Sequence, residues 1–273
     1  MILDTIAAST RKRVDGQKEL VSLEEMKRQA LAQTETEVEN TSNPFEAALA
    51  RPGVSFICEV KKASPSKGLI APHFPYKDIA KEYEAAGADA ISVLTEPEFF
   101  LGSSRYLAEI HQEVKTPLLR KDFTIDEYQI YEAKILGASA VLLICALLGK
   151  EQLKEYLAIS CRLGLAALVE AHTDEEVEMA AEAGASIIGI NNRNLKTFEV
   201  DFSNALRLRK LVKPGTIFVA ESGIKGPEDI KALAEANVDA VLIGETLMRA
   251  ENRGEMLKSL RQAAERGETH GAL

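Results

Sequence analysis

Short apolar runs alternate with longer amphipathic segments from Val54 towards the C-terminus. The runs are almost continuously apolar, which is typical of strands that are buried on both faces in a parallel sheet. They occupy residues 54–60, 90–95, 117–123, 140–145, 165–171, 186–192, 216–222 and 239–244. The intervening segments have helical periodicity and occupy residues 76–86, 104–113, 126–136, 150–163, 174–183, 203–211, 227–236 and 256–266. The pattern therefore predicts a series of strand–helix units.

These units favour an α/β fold in which the strands close into a (β/α)8 TIM barrel over residues 51–266. A doubly wound parallel sheet is the alternative. It usually carries a Gly-rich turn after its first strand, and neither GxGxxG nor GxxxxGK[ST] occurs in the sequence. Gly-Ala pairs at Gly87, Gly137 and Gly184 are typical of helix C-caps and support the predicted helix ends.

The first 50 residues do not follow this pattern. We predict a helix over residues 4–14, a second helix that begins at the capping box 22–25, and a short third helix over residues 44–49 with Pro in its first turn. Residues 1–50 are therefore expected to form an N-terminal helical extension, and residues 267–273 a frayed tail.

Composition excludes several classes of protein. Hydrophobic residues make up 46% of the 273 residues and charged residues 27%, which excludes disordered and collagen-like chains. The net charge of −9 would repel a nucleic-acid backbone, so no nucleic-acid partner is expected. An anionic small molecule stays possible, because a site needs only local positive charge.

Cysteine, histidine and hydropathy patterns point to a cytoplasmic protein with no metal and no membrane association. Three cysteines are too few for a disulfide framework, and four scattered histidines without HExxH give a metal site little support. The longest apolar run, which begins at Ala140, has about ten residues, whereas a helix needs ~20 to cross a bilayer. Asp4 stands where a signal peptide would have a basic start.

Polar side chains are concentrated at the ends of the predicted strands, where TIM barrels carry their active sites. A single charge there is more often a solvated edge or a structural ion pair, but several at one barrel mouth indicate a buried cluster with perturbed pKa values. The candidates for this cluster are Glu59, Lys61, Lys121, Glu170, Asn191, Arg193, Glu221 and Ser222.

Lys62, Arg120 and Asp122 lie one residue away from Lys61 and Lys121 along the strands, so their side chains should point to the helix layer and be structural. His172 follows Glu170 by two residues and could reach the rim of the site. A hydrogen-bonded loop histidine is the more common outcome for such a residue.

Glycine-containing turns follow the last two predicted strands, at Gly223 and at Gly244-Glu245. In TIM barrels these two loops usually form a phosphate site. Ser66, in the loop after the first strand, adds a hydroxyl to the same region. Phe99 and its neighbour Phe100 either pack on the extension or line an aromatic pocket, and Phe123 has the parity of Lys121 and is the better pocket candidate.

Six motifs together resemble the indole-3-glycerol-phosphate synthase family, a group of tryptophan-pathway lyases. They are ExKKxSPSKG from Glu59, SVLTE from Ser92, LLRKDF from Leu118, LVEAH from Leu168, GINNRNL from Gly189 and ESGI from Glu221. The resemblance covers the whole chain, including the helical extension. It implies conversion of 1-(2-carboxyphenylamino)-1-deoxyribulose 5-phosphate into indole-3-glycerol phosphate, CO₂ and water, without a metal or an organic cofactor.

The resemblance also implies a role for each candidate. Lys121 would be the general acid at the substrate ketone, and Glu170 the general base. Lys61, beside Glu59, would face the anionic groups of the substrate or serve as the acid in dehydration, and three further residues would complete the polar network: Asn191, Glu221 and Ser222. The phosphate and substrate contacts would come from Ser66, Arg193, Gly223, Gly244, Glu245, Phe99 and Phe123.

The chain departs from some family members at two positions. Ala63 stands where some members have a lysine, and Glu245 stands where some have a serine, so the Glu245 side chain should turn away from the phosphate. Two other functions stay open at this point: another phosphosugar barrel such as phosphoribosylanthranilate isomerase, and a non-catalytic barrel that binds an anionic ligand. A monomer or a weak homodimer is expected.

Overall fold

The computed structural model describes residues 2–36, 42–194 and 197–268, and within these ranges eight parallel strands close into a barrel. The strands are β1 (Ser55–Val60), β2 (Ala90–Leu94), β3 (Leu118–Lys121), β4 (Ala140–Ile144), β5 (Ala166–Ala171), β6 (Ile187–Asn191), β7 (Ile217–Glu221) and β8 (Ala240–Ile243). Each strand pairs with its neighbours in sequence, and β1 pairs with β8 to close the sheet. The predicted TIM barrel is confirmed. A short hairpin, Ala63–Ser64 with Gly68–Leu69, follows β1 and was not predicted.

The helices alternate with the strands, as the periodicity predicted. They are α1 (Ile2–Leu20), α2 (Leu23–Thr36), α3 (Pro44–Leu49), α4 (Tyr76–Ala85), α5 (Ser104–His111), α6 (Glu127–Ile135), α7 (Lys150–Arg162), α8 (Asp174–Ala183), α9 (Ser203–Leu208), α10 (Pro227–Glu235), α11 (Glu245–Arg249) and α12 (Arg253–Glu268). A 3-10 turn, Arg209–Leu211, extends α9. None of these described helices is long and apolar enough to cross a membrane.

Helix α1 continues two turns beyond the predicted end at Val14. Its apolar stripe does end there, but polar contacts hold the remaining turns against α6 and the loop before it. Gln17 Nε2 donates to Glu132 Oε1 at 2.9 Å, and Lys18 Nζ lies 2.7 Å from Asp126 Oδ2. Hydrophobic periodicity detects buried apolar faces, so it does not detect helical turns that are held by polar contacts.

Alternation along the strands separates two apolar layers. Inward side chains such as Ile57, Leu119 and Leu168 fill the lumen, and outward side chains such as Phe56, Cys58 and Val169 pack beneath the helices. This alternation decides which residues near a strand end can face a ligand at the mouth of the barrel.

The three N-terminal helices contact different parts of the barrel. Helix α1 crosses the carboxyl ends of the strands, where Ile6 joins the lumen cluster. Helix α2 packs along α6 on the outside. Helix α3 closes the opposite end: Phe45 and Leu49 are buried in the lumen cluster, and the Asn43 amide donates to the carbonyls before β4 and β5 at 2.9 and 2.7 Å.

A buried ionic network lies outside β3, as parity predicted for Arg120 and Asp122. The Arg120 Nη2 atom lies 2.5 Å from Glu132 Oε2 and 3.4 Å from Asp122 Oδ2, and Thr95 Oγ1 donates to the same Asp122 oxygen at 2.7 Å. Arg13 of α1 reaches this network with a bidentate contact to Asp122 at 2.7 and 3.0 Å. The network therefore fixes the first helix of the chain to the strand that carries Lys121.

Two predicted segments are covered only in part. The polar stretch of residues 34–42 predicts a loop after the second helix; this stretch begins inside α2, and residues 37–41 lie outside the described residues. The tail predicted from residue 267 overlaps the end of α12, and residues 269–273 also lie outside the described residues.

Candidate active site

A cavity of about 540 Å³ opens at the carboxyl ends of the strands. Its floor is charged, one wall is apolar, and the side near β7 and β8 is formed by loop backbone and hydroxyl groups. With one exception, Phe99, the cavity brings together every site residue predicted from the sequence: Glu59, Lys61, Ser66, Lys121, Phe123, Glu170, Asn191, Arg193, Glu221, Ser222, Gly223, Gly244 and Glu245.

Lys121 lies at the centre of the floor. Its Nζ atom is 3.4 Å from Glu170 Oε2 and 3.4 Å from Glu221 Oε2. The two carboxylate side chains are 3% and 2% exposed, so water screens these contacts very little. Strand ends β3, β5 and β7 supply one residue each, because the inward position recurs at the same level on alternate strands of a TIM barrel.

Burial and the neighbouring charges set the protonation of this cluster. Burial alone would lower the pKa of Lys121, but the carboxylates of Glu221, Glu170 and Glu59 outweigh it and raise that pKa. Lys121 is therefore protonated near neutral pH in the absence of substrate.

The two carboxyls respond in opposite directions. Burial would raise the pKa of Glu170, but Lys121, His172 and the Asn191 amide outweigh it and keep that pKa below its usual range. For Glu221, burial dominates; Lys121 opposes it and the other carboxylates reinforce it, so the pKa rises to about 7. Glu170 is thus ionised near neutral pH, while Glu221 exchanges a proton there.

Glu59 and Lys61 form a second pair beside this cluster. Lys61 Nζ lies 2.5 Å from Glu59 Oε1, and Glu59 Oε2 lies 3.5 Å from the Ser92 hydroxyl. The residues are two apart at the end of β1 and therefore share the inward face. The lysine is 17% exposed and its carboxylate partner 5%, so the ammonium group is the part of the pair that a ligand can reach.

Asn191 and Arg193 connect the floor to the loop after β6. The Asn191 side chain accepts from the Arg193 backbone N–H at 3.0 Å, and its amide helps to lower the pKa of Glu170. Arg193 Nη1 donates to the Phe198 carbonyl at 3.1 Å. Phe198 also lines the cavity, so Arg193 fixes the loop that borders this side of the site.

Loops after β7 and β8 form the polar side of the cavity. Ser222 and Gly223 both have positive φ, 68° and 85°, which turns the chain sharply after Glu221. A Cβ at Gly223 would come within 2.6 Å of Val200 Cγ1, and a Cβ at Gly244 would collide with Glu59 and Lys61. Both glycines therefore leave room that no other residue would leave.

The Glu245 side chain pairs with two cations, one in the loop after β1 and one in its own helix. Its Oε1 atom lies 3.5 Å from Lys67 Nζ and 3.1 Å from Arg249 Nε. The first backbone N–H groups of α11 have no acceptor within the helix. Lys67, Arg249 and the Ser66 hydroxyl border the same part of the cavity, which makes this the more cationic end.

The apolar wall combines the loop after β2 with the start of α1. Phe100 and Phe123 lie with ring centroids 5.8 Å apart, and Ile2, Leu3 and Ile6 complete the wall.

The loop places Phe100 in the cavity and leaves Phe99 out. The buried Glu96 carboxylate accepts from the backbone N–H groups of Phe99 and Phe100 at 2.7 and 3.0 Å, which fixes the loop so that its neighbouring side chains diverge. Phe99 packs among the apolar residues at the edge of the lumen cluster. The aromatic side chain that lines the cavity from this loop is therefore Phe100, and not the predicted Phe99.

Sequence reasoning missed several residues of the site. Leu142 and Ile144 line the cavity from β4, but their apolar pattern is the same as that of any buried strand. The Arg13 anchor also had no signal, because its partner Asp122 is 109 residues away in sequence.

Comparison with known proteins gives one consistent family. Residues 3–260 match the sequence model of the family described as indole-3-glycerol phosphate synthase. Proteins of that name from Ruminiclostridium cellulolyticum and Endomicrobium trichonymphae are 58% and 56% identical to this chain. The alignments cover 97% and 96% of this chain and 100% of each relative.

Solved structures with low sequence identity share the fold. The 3-hexulose-6-phosphate synthase from Salmonella typhimurium aligns with a TM-score of 0.65 at 12% identity, covering 78% of this chain and 100% of its own. The tryptophan synthase subunit alpha from Legionella pneumophila aligns with a TM-score of 0.60 at 14% identity, covering 82% and 99%. At such identities the likeness concerns the barrel alone.

Replacing Glu221 should change how stability depends on pH. Between its ordinary pKa of 4.5 and about 7, the folded chain keeps a proton that the unfolded chain loses. Stability that this group contributes is therefore present at low pH and is lost as pH rises through about 7. Relative to Glu221→Gln, the wild type should lose up to about 3 kcal/mol of unfolding free energy across this window.

Urea unfolding of both proteins at about pH 5 and about pH 8 measures this difference. Gln also weakens the contact with Lys121. Because Lys121 stays protonated across this pH range, that loss lowers stability equally at both pH values and does not change the pH dependence. Glu228→Gln, at an exposed position of α10, is the matched control and should not change the pH dependence. Parallel pH profiles for wild type and Glu221→Gln would contradict the raised pKa.

Proposed function

This chain belongs to the indole-3-glycerol phosphate synthase family and catalyses that family's carboxy-lyase reaction, and we propose which of its side chains carry each step. The observation that carries the assignment is the position of Lys121, held between Glu170 and Glu221 on the cavity floor. Membership also sets aside the isomerase and the non-catalytic binding barrel considered from the sequence.

The reaction closes a ring, releases CO₂ and then water. In the first step an aromatic carbon bonds to the ketone carbon of 1-(2-carboxyphenylamino)-1-deoxyribulose 5-phosphate, and the ketone oxygen becomes a hydroxyl. Loss of CO₂ leaves its electron pair in the ring and restores aromaticity. Departure of the hydroxyl, together with a proton from nitrogen or carbon, yields indole-3-glycerol phosphate.

The two ends of the cavity orient this substrate. The phosphate lies at the cationic end, against the backbone of Gly223, Gly244 and Glu245 and the hydroxyl of Ser66. The carboxyphenyl ring lies on the wall formed by Phe100 and Phe123. The ketone, which is between these groups in the substrate, then lies over the charged floor.

Lys121 acts in ring closure. The raised pKa keeps it cationic, so it hydrogen-bonds the ketone oxygen and stabilises the negative charge that develops there, before donating a proton. Glu170 and Glu221 hold the ammonium group in place from two sides. Because both are part of the folded floor, the site needs no rearrangement when the charge appears.

Glu170 acts as the general base. Its lowered pKa keeps it ionised, as a base must be to accept the proton released during dehydration. Lys61 is the second acid, since its ammonium group borders the cavity and is held there by the ion pair with Glu59. Lys61 also faces the substrate carboxylate before CO₂ leaves.

The remaining polar residues support these three groups. Asn191 orients Glu170, and Arg193 fixes the Asn191 loop and offers positive charge at the rim. Ser222 continues the turn that carries Gly223. The reaction as proposed uses side-chain acids and bases without a metal or an organic cofactor.

The chain divides into an extension, residues 1–50, and a barrel, residues 51–266, and α1 serves as the lid of the site. The contacts of Ile2, Leu3 and Ile6 with the cavity support this role. The enzyme is proposed to work in the cytoplasm as a monomer or a weak homodimer. No nucleic-acid partner is proposed, in keeping with the net charge of −9.

Replacing Lys121 should stop the chemistry and leave substrate binding largely intact. Lys121→Ala should lower kcat by at least ~10²-fold, since a positioned acid contributes 10²–10⁴-fold. The KM should change much less, because the phosphate and ring contacts lie elsewhere. The measurement is the appearance of indole absorbance from the carboxyphenylamino substrate.

Lys150→Ala, which removes an exposed lysine of α7, is the control and should keep wild-type turnover. Lys121→Arg retains the cation if the alanine variant unfolds, and it should regain stability without regaining full activity. Turnover near the wild-type value in a folded Lys121→Ala protein would contradict the assignment.

Filling the turn at Gly223 should weaken phosphate binding. Gly223→Val places a side chain against Val200 in a backbone conformation that disfavours it. The KM should rise about ten- to hundredfold, which corresponds to ~1.5–3 kcal/mol for a hydrogen bond to a charged group. Inorganic phosphate should compete with substrate in the wild type and lose this effect in the variant.

Gly215→Val is a close control, because Gly215 has a φ of 90° and, apart from its chain neighbours, no atom of the described residues lies within 4 Å of the position that a Cβ would take there. This variant suffers the same backbone strain at a position outside the cavity lining. Its stability should fall while its KM stays unchanged. Equal KM values for the two valine variants would place the phosphate elsewhere.

Shortening Ile6 should weaken substrate binding through the lid. Ile6→Ala should raise KM about tenfold if the ring loses contact with two methylene equivalents at ~0.8 kcal/mol each. The kcat should change little, because no acid or base is moved. Ile79→Ala, buried on α4 outside the cavity, controls for lost stability, and a similar rise in its KM would argue against the lid.

A further inference from the structure

His172 lies behind Glu170, outside the cavity lining, at the point where β5 ends. Its side chain is only 14% exposed. Neither ring nitrogen makes a hydrogen bond within the described residues, yet each faces a carboxylate. The Nε2 atom lies 3.6 Å from Glu170 Oε1, and the Nδ1 atom lies 3.4 Å from Glu176 Oε2.

Local backbone contacts fix this arrangement. The Glu176 carboxylate accepts from the His172 backbone N–H at 2.6 Å, and the Glu176 backbone N–H donates to the Thr173 hydroxyl at 3.3 Å. The Asn204 amide holds the His172 carbonyl at 3.2 Å. The first turn of α8 therefore places the imidazole between the two carboxylates.

Only a protonated imidazole suits this position. A neutral ring has one nitrogen without hydrogen, and that lone pair would face a carboxylate. An imidazolium presents an N–H to each side. The Glu170 carboxylate then has a separate partner for each oxygen, since Oε1 faces His172 and Oε2 faces Lys121.

We propose that His172 is a positioning residue for the reaction: as an imidazolium held by Glu176, it keeps Glu170 ionised and turned towards Lys121 and the substrate. This inference rests on the proposed role of Glu170 as the general base. It assigns His172 no contact with substrate.

The surrounding charges agree with this role. Burial would lower the pKa of His172, but Glu176, Glu170 and, at longer range, Glu221 outweigh it and raise that pKa. Lys121 lies beyond Glu170 and is the opposing cation. The Cys145 thiol on the neighbouring strand contacts the Glu176 carbonyl, and burial raises the pKa of that thiol to about 12, so it adds no charge near neutral pH.

Two substitutions separate the charge of His172 from its hydrogen bond. His172→Leu removes both, and His172→Gln keeps an N–H donor without the charge. In both variants the pKa of Glu170 should rise, so the acid limb of the kcat profile should move up by about one pH unit, the typical effect of losing one opposite charge nearby. At pH values above this limb, kcat should be highest for the wild type, lower for His172→Gln and lowest for His172→Leu. The KM of each variant should stay within about twofold of the wild-type value.

His111→Asn removes an exposed histidine at the end of α5 and should leave the profile unchanged. Nuclear magnetic resonance of imidazole-labelled protein provides a measurement without turnover. The signal missing from His172→Gln identifies His172, and it should titrate above the ordinary pKa of histidine.

The outcomes separate this inference from the proposed function. Turnover by Glu170→Gln would refute the base assignment itself. An inactive Glu170→Gln protein together with unshifted acid limbs in both His172 variants would refute only the positioning role. A His172 signal that shows a neutral ring at about pH 6, below the ordinary pKa of histidine, would also overturn it.

Discussion

The structure depends on keeping five charged groups together in a place that water hardly reaches. Three carboxylates, Glu59, Glu170 and Glu221, share the floor of the barrel mouth with Lys61 and Lys121. Burying any one of them alone would cost several kcal/mol, and only mutual pairing offsets that cost. The carboxylates outnumber the lysines, and Glu221 relieves the excess negative charge by keeping a proton up to about pH 7. Glu221 lies 3.4 Å from Lys121, the same distance as Glu170, so burial and the neighbouring carboxylates raise its pKa, and not a different distance from the lysine.

Strand β3 and the residues just after it connect this cluster to the rest of the fold. Arg120 and Asp122 point outward into a network with Glu132, and Lys121 and Phe123 point into the cavity. Alternation along one extended segment therefore fixes the backbone from outside while it places the ammonium group and an aromatic ring inside. Arg13 joins the outer network, so the helix that borders the cavity is fixed to the same segment that carries Lys121. On the proposed roles, this coupling keeps the ketone at Lys121 and the aromatic ring at Phe123 a set distance apart.

Most of this arrangement could be predicted from alternation and from position in the chain. The period of two distinguished Lys121 from Arg120 and Asp122, and the strand ends indicated Glu59, Glu170, Asn191 and Glu221. Prediction failed where long-range polar contacts decide the geometry. The last turns of α1 are held by Glu132 and Asp126, more than 100 residues away. The choice of Phe100 over Phe99 depends on the buried Glu96 carboxylate and on no property of the two rings.

His172 shows why the same limit applies to function. Its position in the sequence, two residues after Glu170, fits a residue at the rim of the site and an ordinary loop histidine equally well. What distinguishes it is Glu176, which reaches back from the first turn of α8 to hold both the backbone and the ring of His172. A carboxylate at a helix N-terminus is common, because the unpaired N–H groups there favour negative charge. Here that carboxylate faces the His172 imidazole, the imidazole faces Glu170, and Glu170 faces Lys121, so acidic and basic groups alternate from α8 to the floor of the cavity. Each group in this row favours the ionised state of its neighbour, so the charge on Glu170 depends on α8 as well as on the strand that carries it.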